Sequence, residues 1–280
     1  MSLPFTVLMS VYRNDRPEFV ERAVNSVTAY QTLKPDEIVL VVDGPIPLAL
    51  TELIDSFENI TEFNFKVIRL PENKGLGNAL RIGMKHTTNE IVARMDSDDV
   101  SSIDRFKKQI EFMKANPEIS VCGGQISEFI DNEKNIVAHR LVPLTPEDCR
   151  RYYQDRDPLN HMTVMFRKSV VLNVGNYQPW HLDEDTYLWG RLLKAGYKIA
   201  NISDILVNVR VGKDMYARRG GWKYFKSDSK ILKWKLENNL TTNSRYFYNY
   251  IVRFVVQVLM PNNVRAFIFK RLLRSNKNIK

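Results

Sequence analysis

Val92 to Ser101 reads VARMDSDDVS, an apolar run that ends abruptly on carboxylates. Asp96, Asp98 and Asp99 fall within four positions, directly after Ile91 to Met95, which reads as a short buried strand. Three such neighbours repel one another unless something positive or hydrogen-bonding compensates. A hard divalent ion, Mg²⁺ or Mn²⁺, bound by one or two carboxylates and by diphosphate oxygens, would do so. The competing reading is a solvated acidic turn in which Asp99 or Ser101 caps the next helix. The strand's place in the chain separates the two.

Upstream, apolar runs alternate with helical patterns. Phe5 to Ser10 is a buried strand; Asp15-Arg16-Pro17 then supplies a cap and an early proline for a helix carrying Phe19, Val20, Ala23, Val24 and Val27. Glu37 to Val42 is a second strand ending in the turn Asp43-Gly44-Pro45, followed by a helix over Leu48 to Phe57. Phe65 to Leu70 is a third strand, and Asn73-Lys74-Gly75 opens a helix to Lys85. Ile91 to Met95 is therefore the fourth strand. This alternation predicts right-handed βαβ units and a Rossmann-like, mainly parallel sheet. Ligands of such sheets lie outside the carboxyl ends of the strands. Those ends carry Tyr12 with Asn14, Asp43, Asn73 with Lys74, and Asp96 with Asp98. Their convergence on one rim favours a functional acidic corner.

Downstream the order is less regular. A helix over Asp104 to Asn116 stops at Pro117, and strands are expected at Ser120 to Cys122, Gln125 to Ile130, Ile136 to Leu141 and Thr163 to Phe166. Helices are expected at Pro146 to Gln154 and Thr186 to Ala195, with Gly196 as a stop. After Gly220-Gly221 the pattern is helical and basic. The organisation expected is a nucleotide-binding half over 1–103, an acceptor half over 104–220 and a basic helical segment over 221–280.

The 280 residues are 44% apolar and 26% charged, without repeats or low-complexity tracts, as in a folded enzyme-sized chain. MSLPFTVLMSVY lacks the basic start and long apolar stretch of a signal peptide. Cys122 and Cys149 are few and far apart, which points to reduced thiols and a cytoplasmic setting. The net charge of +9 is uneven: from Asn208 on there are 17 Lys and Arg against 3 Asp and Glu, and before it 24 against 29. An acid-leaning body with a strongly basic tail implies an anionic partner for the tail.

A second acidic cluster, Asp183-Glu184-Asp185, opens the helix in WHLDEDTYLWGRLLKAGYK, where Leu188, Leu192 and Leu193 form the inward face. Carboxylates at a helix start are favoured by its dipole, which is the structural reading. The functional reading is a general base for a hydroxyl nucleophile. With both clusters in view, the chain resembles the inverting glycosyltransferases of family 2, which have the GT-A fold and build bacterial capsules, exopolysaccharides and lipopolysaccharide. The resemblance runs from Phe5 to about Gly221 and rests on SVYRND (Ser10 to Asp15), VVDGP (Val41 to Pro45), NKGLGNALRIG (Asn73 to Gly83), MDSDD and the DED cluster with WGRLLKAGYKI.

That resemblance implies the α/β GT-A fold with an acceptor-side subdomain, and a nucleotide-sugar donor, with a UDP-sugar expected. Tyr12 and Asp43 would border base and ribose, Lys74 or Arg81 would hold the nucleotide, Asp96 would bind ribose and Asp98 the metal. Asp185, the second member of Glu184-Asp185, would be the base that deprotonates the acceptor. The sequence departs from the family where one aspartate, Asp43, stands before Gly44-Pro45 in place of two. It also lacks the Gln-x-x-Arg-Trp motif of processive members, so a single-addition transferase is expected. Some relatives carry a metal-binding His after the catalytic helix; VRVGKDMYARRGG has none.

His161 is read as a structural hydrogen-bonder and Trp189 as core, while Trp180 could stack on a sugar. Arg210, Arg218 and Arg219 could reach an anionic ligand or form a solvated face. Tyr246 to Leu259 is too short to span a bilayer, which needs about 20 apolar residues. With the basic stretch Val264 to Leu273 it suggests peripheral contact with an anionic membrane, on the inner face of the cytoplasmic membrane, where a glycan or lipid-linked acceptor would be met. Packing on the catalytic domain or a second subunit is the alternative. A nucleotidyltransferase would need a glycine-rich loop after the first strand, and Val11 to Arg16 has no glycine. Gly75-Leu76-Gly77 is a poor dinucleotide fingerprint. Nucleic-acid binding through the tail finds no supporting motif.

Overall fold

The computed structural model describes residues 3–59, 64–180, 182–212, 220–261 and 264–265. Nine strands share one sheet. β1 (Phe5–Val11), β2 (Glu37–Val42), β3 (Asn64–Arg69) and β4 (Ile91–Arg94) run parallel in the order β3-β2-β1-β4. The sheet continues through β8 (Met165–Arg167), β6 (Ile119–Phe129), β9 (Lys198–Arg210) and the two-residue β5 (Val100–Ser101), while β7 (Ile136–Arg140) pairs with β6. β8 is antiparallel to both β4 and β6, and β9 is parallel to β6, so β6 and β9 point the same way as the first four strands. The sheet is therefore mainly parallel, and it joins the expected nucleotide and acceptor halves without interruption.

Two apolar layers cover its faces. Against one pack α1 (Pro17–Val27), α2 (Leu48–Glu58) and α4 (Arg105–Ala115), through Val20, Val24, Ile54, Phe106 and Ile110 on Phe5, Val7 and Met9. Against the other pack α3 (Leu76–His86), α5 (Pro146–Tyr153), α6 (Lys168–Asn173) and α7 (Glu184–Lys194), through Leu80, Tyr153, Val171, Leu188 and Leu192 on Leu8, Val39 and Val41. Side chains alternate across a strand, so β1 sends Val7 to one layer and Leu8 to the other. This α/β/α sandwich leaves the carboxyl ends of β1, β2, β3 and β4 on one rim.

Two differences from the sequence reading stand out. The two strands expected at 120–122 and 125–130 are one continuous β6, and β9, which forms its other side, was not anticipated. The basic segment forms α8 (Trp222–Glu237) and α9 (Asn243–Phe254), with a π-helical turn at Val255–Leu259. The expected helix over Val264 to Leu273 lies, beyond Arg265, outside the described residues, as do Arg218 and Arg219. Among the described residues no helix is long and apolar enough to cross a membrane. Cys122 and Cys149 are buried free thiols.

Candidate active site

The adjacency of β1 and β4 brings the first loop onto the acidic corner. Asp15 does not cap α1, whose N-cap position is Arg16; its Oδ2 instead accepts the Tyr12 amide (3.0 Å) and the Ser97 hydroxyl (2.9 Å). Asp15 thus joins Asp96 and Asp98, a role the sequence reading missed. Burial raises its carboxyl above the ordinary value, with Asp96 adding to the effect. The Asp98 carboxyl is pushed up to about 6 by burial and by the charges of Asp96 and Asp15. Asp99 turns away from the rim: its Oδ1 accepts the Arg210 amide of β9 (2.9 Å), so it neither caps α4 nor faces a ligand. Arg210 also donates Nε to the Asp98 carbonyl (3.2 Å) and stacks on Phe19, which makes it a brace for the acidic loop.

The other rim residues are placed less uniformly. Tyr12 is open on the rim. Asp43 is buried, and its two carboxylate oxygens accept the Lys74 amide (3.0 Å) and the Gly75 amide (2.8 Å). It therefore ties the end of β2 to the start of α3. The Lys74 ammonium sits at the surface, 2.6 Å from Glu72. Arg81 is exposed on α3 more than a turn beyond Gly75, and among the described residues no contact joins its guanidinium to the carboxylates. Tyr12 and Asp96 lie on the rim, and Arg81, expected from the resemblance as an alternative to Lys74, makes no described contact with them.

Gly77 explains how the two acidic clusters meet. A Cβ on it would lie 3.1 Å from the Glu184 Cβ and 3.3 Å from the Gln178 carbonyl, so α3 and α7 touch at their N-terminal ends only because residue 77 has no side chain. At the start of α7, Asp183 holds the N-cap position without a capping hydrogen bond, and burial beside Asp157 pushes it up to about 7. Asp185 Oδ1 accepts the Thr186 amide (2.7 Å). Its side chain stays 24% exposed, and Oδ2 lies 3.8 Å from His161 Nδ1. Burial, with the charges of Asp157 and Glu184, pushes the Asp185 carboxyl up to about 8. Glu184 is likewise raised by burial.

Between the clusters lies a buried cation that the sequence presented as part of an apolar strand. Arg94 is 2% exposed and pairs through Nη2 with Asp96, while Nε and Nη1 have no hydrogen-bond partner among the described residues. Its positive charge lowers the carboxyls of Glu184 and Asp185 against the effect of burial. Arg105 of α4 holds the strand from below, donating Nη2 to the Arg94 carbonyl (2.7 Å). His161 is buried, shares a 2.9 Å hydrogen bond between Nε2 and the Tyr177 hydroxyl, and is driven well below its usual range by burial and by Arg94. It is a neutral imidazole at the edge of Asp185, held by its hydrogen bond to Tyr177 as the structural reading expects. Trp189 is core, and Trp180 stacks on Tyr187 at 4.6 Å.

Among the described residues, no three His, Cys, Asp or Glu side chains form a closed metal cage. Asp98 with its acidic neighbours is an open oxygen-donor set of excess negative charge, which suits a hard cation that keeps positions for diphosphate oxygens.

The family model for glycosyl transferase family 2 matches residues 6–172, the span that contains every rim loop described above. The chain belongs to glycosyl transferase family 2. A second model, glycosyl transferase family group 2, matches residues 91–272. This glycosyltransferase is 36% identical to the amylovoran biosynthesis glycosyltransferase AmsE of Erwinia amylovora, over 95% of this chain and 98% of that protein. It is 34% identical to the UDP-Gal:alpha-D-GlcNAc-diphosphoundecaprenol beta-1,3-galactosyltransferase of Escherichia coli, over 96% of each. Among solved structures, S. aureus TarS 1-349 in complex with UDP-GlcNAc aligns with a TM-score of 0.68 at 17% identity, over 95% of this chain and 75% of that one. The chain spans 46% of the longer TarS structure. The fold is that of the GT-A enzymes, and membership of the family displaces the nucleotidyltransferase and nucleic-acid readings.

Proposed function

We propose that this glycosyltransferase moves a sugar from a nucleotide-sugar, a UDP-sugar, to a hydroxyl of a lipid-linked glycan in surface polysaccharide synthesis, with inversion at the anomeric carbon. The observation that carries the reading is Asp185, a partly buried carboxylate pushed up to about 8, whose neighbour Glu184 meets α3 at Gly77 and feels the charge of Asp96. A general base works best when its pKa lies near the working pH. The acceptor hydroxyl gives its proton to Asp185 as its oxygen bonds to the anomeric carbon. The bond from that carbon to the diphosphate breaks on the opposite face, and its electron pair leaves with the nucleotide. Asp96 and Tyr12 border the donor, Asp43 fixes the loop that carries Lys74, and Asp98 would hold Mn²⁺ or Mg²⁺. That ion, when bound, stabilises negative charge on the departing diphosphate.

The names of AmsE and of the diphosphoundecaprenol galactosyltransferase support the polysaccharide setting and the lipid-linked acceptor. Such acceptors place the enzyme at the inner face of the cytoplasmic membrane. Incubation with UDP-sugars, with and without Mn²⁺, is the direct test. Metal-stimulated release of UDP is expected, and failure of every nucleotide-sugar to bind or hydrolyse would sink the proposal.

A further inference from the structure

Helix α9 and the π-helical turn that continues it are built inside out. Asn249, Arg253 and Gln257, four residues apart, face the body of the protein: Asn249 Nδ2 donates to Asp155 Oδ1 (2.8 Å), Arg253 pairs with Asp228, and Gln257 Nε2 donates to Asp228 Oδ2 (2.6 Å). The other side is an apolar ridge. Phe247, Ile251, Val255 and Leu259 repeat at the same spacing beside Tyr248, and Phe247, Tyr248, Ile251 and Leu259 are 61–68% exposed. A helix that faced water would carry the reverse pattern. At about 1.5 Å per residue the ridge is about 18 Å long.

The neighbouring helix supplies charge. Lys223, Lys226, Lys230 and Lys233 are exposed and recur at helical spacing along α8. Trp222, half exposed, lies 6.1 Å from Phe254 of α9, and Lys226 Nζ is 5.9 Å from the Trp222 ring, so the lysine row begins at the margin of the aromatic surface. No Asp or Glu follows Glu237, whereas eight Lys or Arg do.

We infer that α9 and its π-helical turn lay the ridge from Phe247 to Leu259 into the interface of an anionic lipid bilayer, with the α8 lysines on the headgroups. Aromatic side chains and lysines at the margin of an apolar face are suited to that interface. A second copy of this chain is a poorer occupant, because pairing the ridges would bring two predominantly basic surfaces together. The inference rests on the membrane setting proposed for the acceptor, but binding is measured without donor or acceptor. A failed donor assay with intact vesicle binding would sink the transfer reading alone.

The full chain is sedimented with vesicles of phosphatidylglycerol and phosphatidylcholine in equal parts, and with phosphatidylcholine alone. Binding to the anionic vesicles is expected, with at least about a tenfold loss in a Phe247→Gln, Ile251→Gln double variant that melts like the parent. A Lys226→Glu, Lys230→Glu variant, which leaves the ridge intact, is expected to lose binding as well, and it carries the test if the first variant fails to fold. Equal binding to neutral vesicles, or unchanged binding of both variants, would overturn the inference. So would a concentration-dependent dimer in the absence of lipid that the ridge variant breaks.

Discussion

Replacing Arg94 with Met tests whether one buried cation serves both acidic clusters. The substitution keeps an unbranched side chain of similar reach and removes the charge that faces Asp96, Glu184 and Asp185. Removing one partner of a buried ion pair typically costs about 3–5 kcal/mol. Here two effects reduce that figure. Asp96 is 29% exposed and can rehydrate, and Arg94 Nε and Nη1 cease to be buried without partners. A net loss of about 1–2 kcal/mol follows, or a fall in Tm of about 2–6 °C for a chain of this size. The catalytic effect has its own signature. In the parent, kcat/KM is expected to rise with pH through about 8 as Asp185 ionises. Without Arg94 the carboxyl loses an interaction that favours its charged form, so the limb moves up and kcat/KM falls at pH values below it. Initial rates of UDP release between pH 6 and about 10, beside thermal melts, measure both effects. Arg94→Lys, which keeps the charge, is expected to hold the limb near the parent's position. An Arg94→Met enzyme with an unshifted limb would refute the link to Asp185 and confine Arg94 to holding Asp96.

Two further outcomes separate the roles of the carboxylates. Asp98→Ala is expected to abolish metal-dependent binding of UDP, whereas Asp185→Asn keeps that binding and loses about 10²- to 10⁴-fold in turnover; calorimetry with UDP and Mn²⁺ beside turnover rates reads this, and equal loss of binding in both would refute the division. Asp185→Asn is also expected to stabilise the free protein at high pH only. The Asp185 pKa is raised on folding, so its contribution to stability is complete below about pH 4 and is lost as pH rises to about 8. The Asn variant should melt like the parent near pH 4 and exceed it progressively as pH rises, by a few kcal/mol above about pH 8, and a pH-independent difference would contradict the assignment.

The first four strands were legible because their signals are local. β2 was placed to the residue and the other three parallel strands to within one, since short apolar runs and Asp43-Gly44-Pro45 turn chemistry do not depend on what packs above them. The reading beyond α4 failed where long-range packing overrides local pattern. Gly123-Gly124 reads as a break, yet a Cβ at Gly123 would meet Asn201 Oδ1 at 2.4 Å and one at Gly124 would meet Leu206 Cδ1 at 2.5 Å. These glycines are the condition for β9 to lie against β6. β9 itself was hidden because Asn201 and Asp204 interrupt its alternation, and the register slips along the pairing absorb them.

The site shows the same division. The carboxylates announce themselves, but their meaning depends on residues whose types say nothing locally. Arg94 reads as part of an apolar strand, Asp15 as part of a helix cap and Gly77 as part of a helix. Only the fold makes Asp15 a third member of the acidic corner and Gly77 the contact that admits Glu184. Raised carboxyls at Asp15, Asp98, Asp183 and Asp185 cost folding stability that an apolar replacement would recover, and clusters of this kind are retained where charge must be met by a ligand. Arg94 supplies one positive charge for both groups, which leaves the Asp98 side short of cation and the Asp185 side near neutrality. The proposed displacement would use that asymmetry in a single step: the Asp98 side would meet positive charge brought with the donor, and Asp185 would take the proton of the acceptor.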